Sequence, residues 1–374
     1  MKKVSIKEFM SEWASKDIDL CIGCNRCMEA CPVSKEPFTI AELNYCTEPA
    51  TIVSSKIREF AFNCVQCGRC IPVCPAGARR DYMVQYIKHK LKKTKPSEYK
   101  RYLSMKGPFL NTSSRLKQKA FTKIKKIGTR DLASFMETTP SKKTSVLFYP
   151  GCYIYNTNVI RRTLKLLDHI DASYSVLGGL TTCCGVPQLI QGEYDIADQC
   201  LDSLHEKIMK SEPEIVITGC AECLEALLRI KEKYDETFEA LTVIEYLMRY
   251  IDKFPRVKIR DKVTLHDSCR ISRRYTRGKS ARDAISRFSN FVEMKNVKKT
   301  TMCCYYWNME YDKANANNRT KRLNEAKEHA PTMVCDCVSC FEKYGKVDKD
   351  VEVIDILQLF EEAIDTQQSK EIAK

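Results

Sequence analysis

Cysteine is the residue type that could do chemistry in this chain: 21 of its 374 residues are cysteines. Eight of them fall in two copies of one spacing. Cys21-Ile-Gly-Cys24-Asn-Arg-Cys27-Met-Glu-Ala-Cys31-Pro32 reads CxxCxxCxxxCP, and it returns as Cys64-Val-Gln-Cys67-Gly-Arg-Cys70-Ile-Pro-Val-Cys74-Pro75. Three closely spaced thiolates can bind three irons of one cubane, while the fourth, set before a proline, points at a neighbouring cluster. The spacing therefore predicts one [4Fe–4S] cluster on Cys21, Cys24, Cys27 and Cys74, and a second on Cys64, Cys67, Cys70 and Cys31. Structural zinc fits less well, because zinc motifs rarely repeat CxxCxxC.

A second constellation lies further along. Cys152, the adjacent pair Cys183-Cys184 with Gly185 behind it, and Cys220-Ala-Glu-Cys223 come from three separated places and must meet to act together. A disulfide between adjacent cysteines is strained and tetrahedral zinc needs only four ligands. An iron–sulfur cluster in an unusual thiolate environment explains five cysteines better. The pattern restarts at a near-constant offset as Cys269, Cys303-Cys304 and Cys337-Val-Ser-Cys340. Here the doublet is followed by Tyr305-Tyr306-Trp307 rather than glycine. Glycine permits a positive φ and tyrosine does so at a cost, so the second site is open to a differently shaped cluster or a normal cubane, with Tyr305 or Trp307 covering it. Three cysteines are left over: Cys46 reads as a buried thiol, Cys200 as a helix-core residue and Cys335 as a strand residue, with replacement of one ligand of the second site as its alternative.

The elements that must position these thiols are readable too. Ile57–Phe62 and Ala78–Leu91 have helical patterns around the second CxxCxxC. Ser145–Tyr149 reads as a buried strand, followed by a helix over Val159–Ile170, a strand over Ala172–Leu177, a helix with Ile196, Cys200, Leu204 and Ile208 inward, and a strand over Glu214–Thr218. Cys220-Ala-Glu-Cys223 then opens a helix, where the N-terminus stabilises thiolates. Lys262–His266 and Thr332–Cys335 repeat the strands, and Val243–Leu247 and Val353–Leu357 read as similar closing helices. The expected fold is α+β and multidomain: a small helical di-cluster ferredoxin module followed by a duplicated α/β domain. The expected bounds are 1–87 for the module, 88–144 for a connector, 145–255 for the first half-domain and 256–374 for the second.

Net charge is +14 and localised: Lys88–Lys143 alone carries 17 Lys+Arg against 3 Asp+Glu. A diffuse nucleic-acid surface is therefore a poor reading, and no nucleic-acid partner is expected. Residues 113–128 pattern as a basic amphipathic helix, which can pack on its own domain, dock on an acidic partner or lie on an anionic membrane. The start of the chain shows no apolar signal segment and no stretch is long and apolar enough to span a bilayer. The expected location is cytoplasmic, with contact at the inner membrane face as one option.

A cysteine, then CCG, then CxxC is the pattern of the CCG domain of heterodisulfide reductase catalytic subunits. Joined to the ferredoxin module, the chain resembles the fused catalytic subunit of membrane-linked heterodisulfide reductases. It is also similar to the iron–sulfur subunits of anaerobic glycerol-3-phosphate dehydrogenase and glycolate oxidase. The resemblance implies ligands Cys152, Cys183, Cys184, Cys220 and Cys223 at the first site and Cys269, Cys303, Cys304, Cys337 and Cys340 at the second. It implies one or two further [4Fe–4S] clusters beyond the two cubanes, non-cubane where the motif is complete, with a disulfide cleaved between them. Cys183, Cys184, Cys303 and Cys304 would be catalytic; His266 and Asp267 would deliver protons to the thiolate products, or His266 would only hydrogen-bond a cluster sulfur. The alternative is a relay from a flavoprotein dehydrogenase to quinone or a membrane cytochrome. No GxGxxG or P-loop occurs in the sequence, so a flavin would sit on a partner; the expected partners are a flavoprotein, a membrane cytochrome, or both.

Overall fold

Ser5 and Glu8 open the first helix, α1 (Ile6–Leu20), with a capping box in which the Ser5 hydroxyl accepts from the Glu8 N–H and the Glu8 carboxylate from the Ser5 N–H. Arg26–Glu29 (α2) is a short turn inside the first cysteine motif, and Thr39 and Glu42 form a second capping box at α3 (Ile40–Thr47). Then come α4 (Ser55–Asn63), α5 (Arg80–Thr94) and α6 (Pro96–Ser104). This is a computed structural model, which describes residues 5–34, 38–104, 140, 142–151, 157–178, 182–305, 312–345 and 350–372. Cys152, Tyr306, Trp307 and the basic stretch 113–128 lie outside the described residues. Among the described residues no helix is long and apolar enough to cross a membrane.

The chain divides into two compact units. The first comprises Met1–Lys119, Gly185–Leu201 and Trp307–Asp312. Its apolar core joins Leu43, Ile57, Val84, Ile87 and Leu91 to Cys27, Cys46 and Cys70. Cys46 is buried there, its thiol donating to the Ile52 carbonyl at 3.7 Å. Two lysines of the basic stretch are inside as well. Lys88 Nζ donates to the carbonyls of Cys64 (3.0 Å) and Ile190 (3.2 Å), and Lys90 Nζ to that of Cys46 (3.2 Å).

The second unit comprises Ala120–Cys184, Asp202–Tyr306 and Lys313–Lys374. It holds two four-stranded parallel sheets. The first is built from β1 (Val146–Gly151), β2 (Tyr174–Gly178), β3 (Ile215–Thr218) and β4 (Glu239–Thr242), in the order β2-β1-β3-β4. The intervening helices are α7 (Thr157–His169), α8 (Val186–Gln191), α9 (Tyr194–Met209), α10 (Ala221–Tyr234) and α11 (Val243–Leu247), of which α8 and α9 as far as Leu201 fall in the first unit. The second sheet repeats the order as β6-β5-β7-β8, from β5 (Arg260–His266), β6 (Ser289–Phe291), β7 (Thr332–Cys335) and β8 (Glu352–Asp355). Its helices are α12 (Lys279–Phe288), α13 (Asp312–His329), α14 (Val338–Tyr344) and α15 (Leu357–Ile372). Burial on both faces accounts for the continuous apolar runs of these strands.

Two details differ from the sequence reading. Val353–Asp355 is strand, not helix, because β8 is the counterpart of β4; the helix that matches α11 starts at Leu357, whose N–H Asp355 caps at 3.1 Å as Thr242 caps α11. On α9 the buried line is Ala197, Leu201, Leu204 and Ile208, leaving Ile196 and Cys200 half-buried at its edge.

Candidate metal centres

The two CxxCxxC loops take the same backbone path. Cys21 ends α1 and Cys64 ends α4, each donating its N–H back into the helix. The second and fourth positions after that turn left-handed: Gly23 (φ 72°) and Asn25 (φ 58°) in one motif, Gln66 (φ 57°) and Gly68 (φ 72°) in the other. Asparagine tolerates that region by local hydrogen bonding, and Asn25 Oδ1 accepts from the Ile40 N–H at 2.7 Å. Gln66 is held there by Gln85 Nε2, which donates to its Oε1 at 2.8 Å.

The structure brings Cys74 of the second motif to Cys21, Cys24 and Cys27 of the first: these four thiols line one recess with Asn25, Ile40, Arg80 and Met83. Cys31 of the first motif instead lies within electrostatic reach of Cys64, as does Cys67. Burial pushes the Cys64 thiol up to about 11 and the Cys70 thiol higher still. Thiols in such surroundings ionise only against a compensating positive charge or a metal. Cys24 by contrast is exposed, and its neighbour Ile22 is 68% exposed.

In the second unit the cysteines stand where the topology places ligands, outside the carboxyl ends of strands at the point where strand order reverses, between β1 and β3 and between β5 and β7. Gly151 (φ 76°) ends β1; a Cβ there would lie 2.6 Å from Cys223 Sγ. Cys220 caps α10 and Cys223 sits in its first turn, fully buried, with Cys184 and Cys220 as hydrogen-bonding thiol neighbours that, with burial, raise it well above its ordinary value. Cys183 is half-buried beside Cys184. Cys220 Sγ also donates to Glu222 Oε2 at 3.3 Å.

The second half brings its five cysteines together. Cys269 Sγ lies 3.9 Å from Cys303 Sγ, and Cys340 Sγ 3.4 Å from Cys304 Sγ. Cys337 caps α14 and hydrogen-bonds with Cys340 in its first turn. Hydrogen bonds from Cys303 and Cys340 pull Cys304 down, while those with Cys304 and Cys337 push Cys340 up. Tyr305, 2% exposed, takes φ 55°, close to the 76° of Gly185 in the first half, and donates its N–H to Cys303 Sγ at 3.3 Å. A bulky residue in this region costs of order 1–2 kcal/mol, and the second half accepts that cost. Cys335 is buried in β7, its thiol within electrostatic reach of Cys304 and Cys337.

Residues from both halves meet here. The Ala221 N–H of α10 hydrogen-bonds Cys337, and Cys337 in turn is felt by Cys220. Arg270, beside Cys269, donates to Glu222 Oε1 at 3.1 Å and pairs with Glu225, both on α10. His266 is fully buried at the end of β5; burial and then Arg322 hold it well below its ordinary value, and its Nδ1 accepts from Arg322 Nε at 3.2 Å. A neutral imidazole with Nδ1 committed leaves Nε2–H as a donor, which has no acceptor among the described residues. Asp267 is no proton source. Burial would raise it, but Arg282, the Lys298 N–H and Ser272 outweigh burial and hold it below the usual carboxylate range. The sequence pattern did not single out Arg80, Arg270 or Arg322; for Arg270 adjacency to a cysteine was the available signal, and for Arg322 there was none.

The donor set among the described residues fits iron–sulfur clusters: thiols in two matched quartets, a quintet in the second half and Cys183, Cys184, Cys220 and Cys223 in the first, backed by N–H groups and buried guanidinium ions, none of these thiols in a disulfide. Among the described residues no three such side chains are drawn in to the spacing of one metal ion, so the fit lies in donor chemistry and not in a formed coordination shell. Known proteins agree. Residues 14–75 match the family model of the 4Fe–4S dicluster domain, and residues 146–227 that of the cysteine-rich domain CCG. An uncharacterized iron–sulfur protein of Methanocaldococcus jannaschii, MJ0092, is 26% identical over 60% of this chain and 48% of its own length. One subunit of the dihydromethanophenazine:CoB–CoM heterodisulfide reductase of Methanosarcina mazei is 28% identical over 43% of either chain. One subunit of the CoM/CoB fumarate reductase of Methanothermobacter marburgensis is 25% identical over 42% of this chain and 32% of its own. The matches thus span half or less of each relative's length. The chain is an iron–sulfur protein that joins a 4Fe–4S dicluster domain to a cysteine-rich CCG domain, and it is related in sequence to oxidoreductase subunits.

Proposed function

We propose that this chain is an oxidoreductase subunit that passes electrons from two N-terminal [4Fe–4S] cubanes to clusters held by the CCG cysteines, where a disulfide is reduced. The observation that carries the reading is the meeting of two thiol sites in one unit, with Ala221 N–H of the first half bonded to Cys337 of the second. The clusters, when bound, supply one-electron carriers and an iron at which a substrate sulfur can bind. On this reading Cys21, Cys24, Cys27 and Cys74 hold one cubane and Cys31, Cys64, Cys67 and Cys70 the other. Cys152, Cys183, Cys184, Cys220 and Cys223 hold the first CCG cluster, and Cys269, Cys303, Cys304, Cys337 and Cys340 the second. The half-domains are proposed at 145–255 and 256–374, each with one of the two four-stranded sheets in support.

The chain's residues set the terms of that chemistry. Exposed Cys24 and Ile22 give electrons an entry at the first recess. The N-termini of α10 and α14 turn N–H groups to the thiols, those of Ala221 and Cys340 to Cys337 and that of Cys223 to Cys220. The thiol pairs Cys304–Cys340 at 3.4 Å and Cys269–Cys303 at 3.9 Å bring donors from three loops to one place, as a cluster of the second half would need. A small recess at the strand ends is lined by Gly219, Thr242, Cys335, Asp336, Cys337 and Asp355. Disulfide cleavage consumes two electrons and two protons and yields two thiols; the His266 Nε2–H can steady a sulfur but, being neutral, is not the acid. A flavoprotein, a membrane cytochrome, or both would be the electron partners.

Dithionite-reduced holoprotein mixed with an aromatic disulfide tests this. The expected result is release of two thiols per disulfide at the expense of reduced cluster signals, lost in Cys184→Ser while the N-terminal clusters stay reducible. Thiol release unchanged in Cys184→Ser would sink the assignment. The likeness to part of a fumarate reductase favours a second reading, a relay that serves a separate catalytic subunit. It predicts cluster reduction without thiol release.

A further inference from the structure

Arg80 is buried in the first turn of α5, 4% exposed. Arginine is almost never so buried unless paired. Among the described residues no carboxylate lies within ion-pair distance of it; its neighbour Asp81 is taken by Arg79 at 3.0 Å. Its Nη1 donates to the Cys27 carbonyl at 2.6 Å and to Met28 Sδ at 2.7 Å, and its guanidinium lies 5.4 Å from the Phe60 ring centre. Its Nε–H has no acceptor among the described residues. Arg80 lines the recess formed by Cys21, Cys24, Cys27 and Cys74. The thiols that act on it most are Cys70, Cys31, Cys27 and Cys64, which come from both quartets.

A buried, unpaired cation with an idle donor is costly, of the order of several kcal/mol. A cubane with its four thiolates carries roughly −2, so two of them would supply both the missing counter-charge and sulfur acceptors. We propose that Arg80 is a positioning residue shared by the two N-terminal cluster sites, whose fixed charge raises the reduction potential of both. The proposal rests on the reading that both motifs hold [4Fe–4S] clusters. Reduction adds one electron, and so one negative charge, to each site, and a cation held close to both favours the reduced state of each. A mere tie between α5 and α2 through the Cys27 carbonyl would leave the potentials alone.

The test uses the full chain, purified anaerobically, with iron content and EPR-monitored dithionite titration as readouts. Wild type must first show both N-terminal [4Fe–4S] signals; their absence overturns the functional reading, and this inference with it, before any variant is made. In Arg80→Gln both couples are expected to move negative by at least tenfold in the reduction equilibrium, which is 59 mV for one electron. Arg80→Lys, which keeps the charge, should hold both within threefold of wild type. If Arg80→Gln retains its clusters and either couple stays unmoved, the shared role is wrong. If Arg80→Gln loses iron, Arg80→Lys decides: clusters kept near wild-type potentials support the proposal, and clusters lost, or kept at potentials more than tenfold displaced, overturn it.

Discussion

Gly151→Ala addresses the first CCG site through a single methyl group. Gly151 has φ 76°, and a Cβ there would stand 2.6 Å from Cys223 Sγ. The left-handed backbone costs an alanine about 1–2 kcal/mol. The sulfur must also retreat by about 0.8 Å to reach the 3.4 Å at which such contacts become ordinary. A shift of that size exceeds the roughly 0.5 Å within which a ligand constellation must be held. The backbone term is small beside a folding stability of about 5–15 kcal/mol, so the variant should fold. What it should lose is one cluster. Gly219, next to Cys220, is the control, because a Cβ there meets nothing within 4 Å and its φ is not left-handed. Iron analysis of anaerobically purified protein should show Gly151→Ala short of wild type by about four irons, with the N-terminal EPR signals intact, and Gly219→Ala at wild-type content. Full iron in Gly151→Ala with a wild-type spectrum, or an equal loss in Gly219→Ala, would refute the reasoning.

Other perturbations have definite outcomes. Arg270→Met removes a buried guanidinium that pairs with Glu222 and with Glu225, which keeps Arg229 and Arg274, and should lower stability by about 1–3 kcal/mol in denaturant titration, with the added Glu222→Gln recovering part of it. Tyr305→Gly relieves about 1–2 kcal/mol of backbone strain but gives up a buried aromatic ring worth about 3–5 kcal/mol, so the net change should be destabilising by about 2 kcal/mol and lower the melting temperature. Asp17, pushed up to about 6 by burial, binds its proton more tightly folded than unfolded. Its stabilising contribution is therefore full below about pH 4 and lost as pH rises through about 6, and Asp17→Asn should flatten the melting temperature across that window.

Much of this was legible in the chain. The CxxCxxCxxxCP repeat and the strand–helix alternation carry their own geometry, and β7 runs from Thr332 to Cys335 as its apolar run suggests. Gly185 after the first doublet signalled a positive φ, and that signal transferred to Tyr305 although tyrosine is a poor residue for it. The register of the second half was less clear, because Val353-Ile-Asp-Ile-Leu357 resembles Val243-Ile-Glu-Tyr-Leu247 in composition while its first residues complete a sheet. The buried cations were invisible for a physical reason. A lysine or arginine in a basic run has the same one-dimensional signature whether it is solvated or, like Lys88 and Arg80, buried against carbonyls and thiols. Only the packing of α5 distinguishes them.

The central claim, that this chain holds two N-terminal cubanes and one or two CCG clusters, is tested most directly by iron and acid-labile sulfide analysis of anaerobically purified protein. Three or four such clusters correspond to about 12–16 iron atoms per chain with matching sulfide. Eight or fewer irons, or zinc in their place, would contradict the claim.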